Sequence, residues 1–579
     1  MNSENPLIVQ GDRSLLLDVH APMADECRNA LIPFAELEKS PEHLHTYKLT
    51  PLSLWNAASA GFTADDAVAV LEKYARYEVP KAIPAWIKEV CSRFGKIRLL
   101  PYEQEEEEKS KEQYLLLVTQ TEAIYKEIGA NSAVKKLLCG PSVVPEALEG
   151  PQKYAYIIKL TDRGTIKQLL LEAGWPVKDE VALTDGEPLE ISLRQTTASG
   201  QPLTVREYQT AAAQALVGDK GPGTGFGTIV LPCGSGKTIV GMQIMELLKT
   251  STLIITTNIS AVHQWIDELL DKTNLTKDDI AEYTGENKEI KQVTVATYQV
   301  LTWRPDKEGP FPHFSLFHER PWGLIIYDEV HMLPAPVFRV VAELQAVRRV
   351  GLTATLVRED GCEGYVFSLV GPKRYDVPWK ELERDNWIAS AECVEVRIDL
   401  PEYCEIEYAV AGAREKHKIA SQNPDKLGVV TQIINKYPED KILVIGQYLD
   451  QLDQIAQLLK APIITGKTPT AERDRIYGEF RKGNIRVLVV SKVANFAIDL
   501  PDASLAIQVS GTFGSRQEEA QRLGRILRPK ERTSRFFTLI TRNTVEEEFS
   551  SNRQKLLAEQ GYSYRIVRYG ELENGGESL

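Results

Sequence analysis

Three groups of residues in this chain have the types and spacing that phosphoryl chemistry needs. The first is Cys233-Gly234-Ser235-Gly236-Lys237-Thr238, set between the apolar run GTIVLP and a helical stretch reaching Leu248. Glycines let the backbone curl so that its N–H groups face phosphate oxygens, and the following helix N-terminus adds partial positive charge. Lys237 is placed for the β- and γ-phosphates, and the Thr238 hydroxyl for Mg²⁺. A full phosphate-loop pattern would have glycine at 231, where this chain has Leu231; the half that holds the nucleotide, GSGKT, is intact. The second group is Asp328-Glu329-Val330-His331, closing the apolar run WGLIIY. Asp328 can hold Mg²⁺ through water, and Glu329 can polarise an attacking water as general base. Adjacent carboxylates ending a buried strand are costly unless a cation sits beside them. The third is Gln521-Arg522-Leu523-Gly524-Arg525-Ile526-Leu527-Arg528, whose arginines recur every three residues on one helix face. Arg525 and Arg528 are candidate arginine fingers, stabilising γ-phosphate charge from across a domain boundary. The three groups together predict ATP as substrate and Mg²⁺ as its cation.

These groups must be held by a sheet. GTIVLP, STLIITT, QVTVATY, WGLIIYDE and RVGLTAT are β-branched and too continuously apolar for a sheet with one wet face. They predict parallel strands buried on both sides, alternating with helices. A second set, from AECVEVRI through FFTLI, repeats the texture. The expectation is an α/β fold with two successive domains, residues 201–388 and 389–560. Residues 1–100 predict a small, mostly helical domain. Its helices are Pro51 to Ala60, a Thr63-capped helix to Tyr77, and Pro84 to Phe94, with Gly61 and Gly95 as stops. Residues 101–113 carry six glutamates and read as an acidic interdomain linker. Residues 114–200 predict an α+β unit, and 561–579 a short tail.

At about 150 residues per domain, 579 residues suggest roughly four domains. Hydrophobic residues at 43% and charged residues at 26% exclude a disordered or collagenous chain. The seven cysteines are scattered with no CxxC pair, which argues against zinc or an iron–sulfur cluster and for a reducing cytoplasm. No apolar run approaches the ~18 residues of a membrane span, and no signal peptide is legible. The net charge of −13 speaks against a polyanion partner, but it is unevenly spread: residues 481–535 hold eleven basic and five acidic side chains.

The motifs LPCGSGKT, DEVH, GLTATLVRED and QEEAQRLGRILRP, in this order, resemble superfamily 2 helicases and translocases. With GPKRYDVPW, SKVANFAIDLP and EQGYSYRIV they resemble the XPB (xeroderma pigmentosum group B) helicase family over about 175–568, with the N-terminal residues similar to its bacterial members. The resemblance implies two tandem RecA-like lobes and a damage-recognition-like domain at 114–200. It implies that Arg206 and Gln209 contact adenine, that Asp499 lies near the ribose, and that Gln521, Arg525 and Arg528 complete the site from the second lobe. It implies that His331, Thr353 and Thr355 couple ATP state to DNA grip, and that Arg358, Glu359 and Asp360 form the RED motif tied to duplex opening. A thumb-like segment is expected at about 403–427, shorter than the family's, and Ala497 stands where motif V usually has glycine.

The expected function is an ATP-dependent DNA helicase or translocase, 3′→5′ by the resemblance, in nucleotide-excision repair or transcription-linked duplex opening. The expected setting is a prokaryotic cytoplasm, on the nucleoid when DNA-bound, with a repair nuclease as candidate partner and no membrane. Two other readings stand beside it. One is an RNA-dependent ATPase, which would call for Asp at 331 and usually SAT at 353–355. The other is an ATP-gated DNA-binding adaptor that recruits a nuclease without processive unwinding.

Overall fold

The structure, a computed structural model, describes residues 4–31, 33–39, 43–59, 61–102, 114–142, 154–183, 185–218, 224–232, 234–306, 311–333, 337, 347–354, 363–377, 379–385, 387, 390–491, 503–511, 533–559, 562 and 564–570. Two seven-stranded sheets dominate it. In the first, the strands lie in the order Ile280–Tyr283, Val293–Thr297, Thr252–Thr256, Leu324–Asp328, Arg348–Thr353, Phe226–Val230 and Lys373–Asp376, all parallel. Its central strands are buried on both faces, which is why they read as unbroken apolar runs. In the second, the order is Ile463–Ile464, Val487–Ser491, Ile442–Gly446, Leu505–Gln508, Ser534–Thr541, Ala391–Ile398 and Tyr564–Arg568, again all parallel. The α/β class and the two lobes stand as expected.

The N-terminal unit needs correcting. The expected helices are there, as Pro51–Ser59, Ala64–Tyr74 and Ala82–Arg93. Thr63 caps the second by a reciprocal pair of bonds with Asp66, and Gly61 takes φ +90° ahead of it. The unit is not simply helical, however. Leu7–Val9, Ser14–Asp18, Leu44–Lys48 and Glu36–Lys39 form an antiparallel sheet in that order. Strands of three to five residues contain too few alternations to register as a period of two.

Three boundaries also move. Ile97–Pro101 pairs antiparallel with Tyr114–Thr119 and parallel with Val177–Asp179, inside the five-stranded sheet of the second unit. The acidic stretch 101–113 therefore joins two neighbouring strands of one sheet and does not tether two domains. Residues 185–200 belong to the first lobe: Leu189 N–H donates to Lys249 O at 3.0 Å, Arg194 N–H to Lys272 O at 2.8 Å, and Leu189 and Ile191 enter its core. Tyr564–Arg568, assigned by sequence to a tail, is the outer strand of the second lobe and pairs with Cys393–Arg397. The thumb-like segment is two short helices, Glu402–Val410 and Ala413–Ser421, the first exposing Tyr403, Ile406 and Val410.

The small units are fastened to the lobes by specific contacts. The first touches both: Lys373 N–H donates to Asn56 Oδ1 at 3.2 Å, Arg374 Nη1 donates to Ser59 O at 3.1 Å, and Ala558 shares a hydrophobic cluster with Leu54 and Phe367. The second meets the first lobe across a buried ionic cluster. Asp179 accepts from Arg163 at 2.8 and 2.9 Å and from Lys167 at 2.9 Å, while Arg349 of the lobe stacks 5.0 Å from the Phe226 ring centre and Lys167 5.6 Å from it. Burial pushes Lys167 down to about 8 and Arg349 down to about 9. Burial alone would raise Asp179, but the paired Lys167 and Arg163 hold it well below the usual carboxylate range.

A group whose acidity rises on folding stabilises the fold above its unfolded pKa, about 4 for Asp, and loses that contribution as pH falls toward its folded value. Asp179→Ala leaves two buried cations without a counter-charge. Its expected cost is about 3–5 kcal/mol at neutral pH, read as a lower denaturant midpoint. The gap between mutant and wild type should narrow in acid. A midpoint equal to wild type at pH 7 would remove this cluster from the forces holding the seam.

Candidate nucleotide-binding site

Strand Phe226–Val230 runs into the loop at 231–236, and helix Lys237–Leu248 begins directly after it. Gly234 and Gly236 have φ of +79° and +82°, a region that costs glycine little. A Cβ on Gly236 would also stand 2.5 Å from Gln209 Nε2. That amide is there for a reason: Gln209 Nε2 donates to Ser235 O at 2.8 Å, and its Oε1 accepts from Arg206 N–H at 2.9 Å. The second bond closes the start of helix Glu207–Val217. Tyr208 OH donates to the same Ser235 carbonyl at 2.6 Å, and Arg206 Nη1 donates to Tyr208 Oη at 3.1 Å. Ser235 Oγ completes the loop's bracing by donating to Pro232 O at 2.7 Å.

One strand away from Phe226–Val230, across Arg348–Thr353, strand Leu324–Asp328 ends in the carboxylate pair. Trp265 Nε1 donates to Asp328 Oδ2 at 2.9 Å, the Glu329 N–H donates to Asp328 Oδ1 at 3.0 Å, and Tyr298 OH donates to the Asp328 carbonyl at 3.1 Å. Glu329 itself lies in the left-handed region at φ +50°, ψ +53°, a conformation that strains a non-glycine residue and re-aims its side chain. It points back at the phosphate loop, with Lys237 Nζ 3.7 Å from Glu329 Oε1. Its other oxygen lies 3.4 Å from His331 Nδ1 and is buried without a hydrogen bond. His331 Nδ1 and Thr353 Oγ1 share a hydrogen bond of 2.7 Å.

Burial, and next the charge of Glu329, push Asp328 up to about 6. Burial and the Asp328 charge push Tyr298 well above the ordinary phenol value, so it stays a donor. Two half-buried carboxylates are thus faced by one ammonium, and one carboxylate oxygen, beside His331, is left without a hydrogen bond. Hard oxygen donors in negative excess suit a hard divalent cation.

Of the residues singled out by sequence, the structure brings Arg206, Gln209, Gly234, Ser235, Gly236, Lys237, Asp328, Glu329, His331 and Thr353 into one connected set. Thr238 sits half-buried on the first turn of the same helix. Cys233, Thr355, Arg358, Glu359, Asp360, Asp499, Gln521, Arg525 and Arg528 lie outside the described residues. Tyr208, Trp265 and Tyr298 were not singled out. Trp265 lies on the strongly amphipathic helix Ile259–Lys272 and reads from sequence as core, which most of its surface is. Only its indole N–H reaches the site.

Three family models match the chain: the ERCC3/RAD25/XPB C-terminal helicase over residues 382–576, the type III restriction enzyme res subunit over 202–358, and a helicase conserved C-terminal domain over 7–140. The DNA 3′-5′ helicase XPB of Kineococcus radiotolerans is 48% identical over 575 residues, covering 99% of this chain and 98% of that one. The protein of the same name in Mycobacterium tuberculosis is 47% identical, covering 97% and 98%. The general transcription and DNA repair factor IIH helicase/translocase subunit XPB of Antonospora locustae is 32% identical over 98% of this chain and 82% of its own. Identity near one half across essentially the whole of both chains, on a two-lobed fold with phosphate loop and paired carboxylates at nearby strand ends, leads to one conclusion: the chain belongs to the XPB family of DNA 3′-5′ helicases.

Proposed function

We propose that this chain hydrolyses ATP to drive 3′→5′ movement along DNA, opening or translocating duplex in repair or in transcription-linked unwinding. The observation that carries the reading is Glu329, held in a strained conformation with its carboxylate 3.7 Å from the phosphate-loop lysine. A general base and a phosphate-binding cation can meet on one γ-phosphate only if they come this close.

The donor set fits Mg²⁺: Asp328 and the Thr238 hydroxyl would hold it, and it would neutralise charge on the β- and γ-phosphates. Lys237 and the N–H groups of 234–238 bind and orient the phosphates. Glu329 accepts a proton from the attacking water at the carboxylate that faces Lys237. Trp265 and Tyr298 fix the Asp328 carboxylate and backbone, and the carboxylate so held would serve as a ligand to the cation. Gln521, Arg525 and Arg528 would meet the γ-phosphate from the second lobe, and Asp499 the ribose. Only a triphosphate spans both lobes, so binding closes them and hydrolysis lets them part. The bond from His331 to Thr353 passes that change from the carboxylates to strand Arg348–Thr353, and from there toward Thr355 and Arg358-Glu359-Asp360. In this reading the protein works in the prokaryotic cytoplasm, and a partner nuclease makes any incision.

Glu329→Gln should lower DNA-stimulated kcat by about 10²–10⁴-fold with little change in ATP affinity, the usual contribution of a general base. Lys237→Ala should abolish nucleotide binding. Either variant retaining full turnover would sink the assignment. Gly236→Ala sets a methyl group against the Gln209 amide at a positive φ, and its KM for ATP is expected to rise at least about tenfold while the melting temperature stays near wild type. On tailed duplexes, displacement should require a 3′ tail; equal activity on 5′ tails would overturn the polarity.

A further inference from the structure

We infer that Trp387 supplies the surface on which the adenine ring of ATP stacks. The inference rests on the ATP reading above. Trp387 lies in the connection between Lys373–Asp376, the edge strand of the first lobe, and Ala391–Ile398, which begins the second. It returns to the phosphate-loop side of the first lobe. The Arg206 guanidinium lies 4.9 Å over its ring, Arg206 Nη1 donates to its carbonyl at 3.2 Å, and its own N–H donates to Leu382 O at 2.8 Å.

This anchoring leaves Trp387 36% exposed, although a large apolar ring gains by burial. Arg206 backs the ring, and about a third of the residue still meets solvent. The same Arg206 is joined through its N–H to Gln209, and through Gln209 to the Ser235 carbonyl of the phosphate loop. The indole is therefore fastened to the loop that takes the phosphates, and a nucleotide lying along this path presents its base to Trp387.

The Gln209 amide takes one bond at each end, at Oε1 from the Arg206 N–H and from Nε2 to the Ser235 carbonyl, which leaves one N–H and one lone pair for the edge of a base but nothing for its face. A π-face needs no free hydrogen-bonding group. The ring cannot slot between Arg206 and Trp387, because 4.9 Å is short of the roughly 7 Å that two stacking gaps require. It adds to the outer face of the indole, extending the stack of guanidinium, indole and base. Because Trp387 sits on the connection between the lobes, the base is held at the point where their relative position is set.

The test uses the full chain and Trp387→Ala and Trp387→Phe. Trp387→Ala should raise KM for ATP about tenfold, the effect of one base stacked on one aromatic ring, and raise it more than it lowers kcat. Inhibition by inorganic tripolyphosphate, which has no base, should be unchanged, and Trp387→Phe should restore most of the affinity. ATP should quench part of the tryptophan fluorescence of the wild type, and Trp387→Phe should bind ATP without that quench. An unchanged KM in Trp387→Ala, or a quench in Trp387→Phe as large as that of the wild type, overturns the inference. So does an equal loss of tripolyphosphate inhibition, which would mean that Trp387 only props Arg206 and the loop. A wild type with no ATPase at all would instead overturn the functional reading itself.

Discussion

Asp328 and Glu329 put two carboxylates on consecutive residues at the end of a buried strand, and the surrounding structure is arranged around that repulsion. Burial and mutual charge drive Asp328 up to about 6, a free-energy cost that the nucleotide-free fold carries. The fold limits it with two donors, the Trp265 indole and the Glu329 N–H, and with the charge of the Lys237 ammonium. It also turns Glu329 into the left-handed region, so that the second carboxylate departs from the first. None of these removes the negative excess. In the proposed function a cation arriving with phosphates would remove it, and the cost of holding the two carboxylates together would become affinity for the ligand.

The same constraint explains which parts were legible from sequence. The carboxylate pair and GSGKT could be read because each needs fixed residue types at fixed spacing on consecutive residues. The lobes could be read because strands buried on both faces must be continuously apolar. Trp265, Tyr208 and Tyr298 act through one polar atom at the rim of an otherwise apolar side chain, and a core residue and a site residue then look alike. The sheet of the N-terminal unit was illegible because its strands are too short to show a period. The acidic stretch misled for a different reason: glutamates show that a segment is solvated, but not whether its two ends lie in one sheet or in two domains.

Strand Arg348–Thr353 gives the arrangement its mechanical sense. It is hydrogen-bonded to neighbours on both sides, to Leu324–Asp328 and to Phe226–Val230, which carry the carboxylates and the phosphate loop. At one end Thr353 bonds to His331. At the other, Arg349 is buried beside Arg163, Lys167 and Asp179 of the second small unit, a cluster of three cations and one carboxylate among the described residues. A strand paired on both edges neither stretches nor slides by less than a register step. A load applied at Arg349 therefore reaches Thr353, and the bond between His331 and Thr353 cannot rearrange without being felt at the seam. A cluster with excess positive charge, held away from water, would be a poor choice for stability alone, since apolar packing of similar volume often does as well. Its ion pairs hold Arg163 and Lys167 in place on the second unit's side, and the contacts that cross the seam are those of Lys167 with the Phe226 ring and of Arg349 with the charges beside it. Together with the first unit's bonds to Lys373 and Arg374 on the edge strand beyond Phe226–Val230, they make the N-terminal residues part of the working frame of the first lobe.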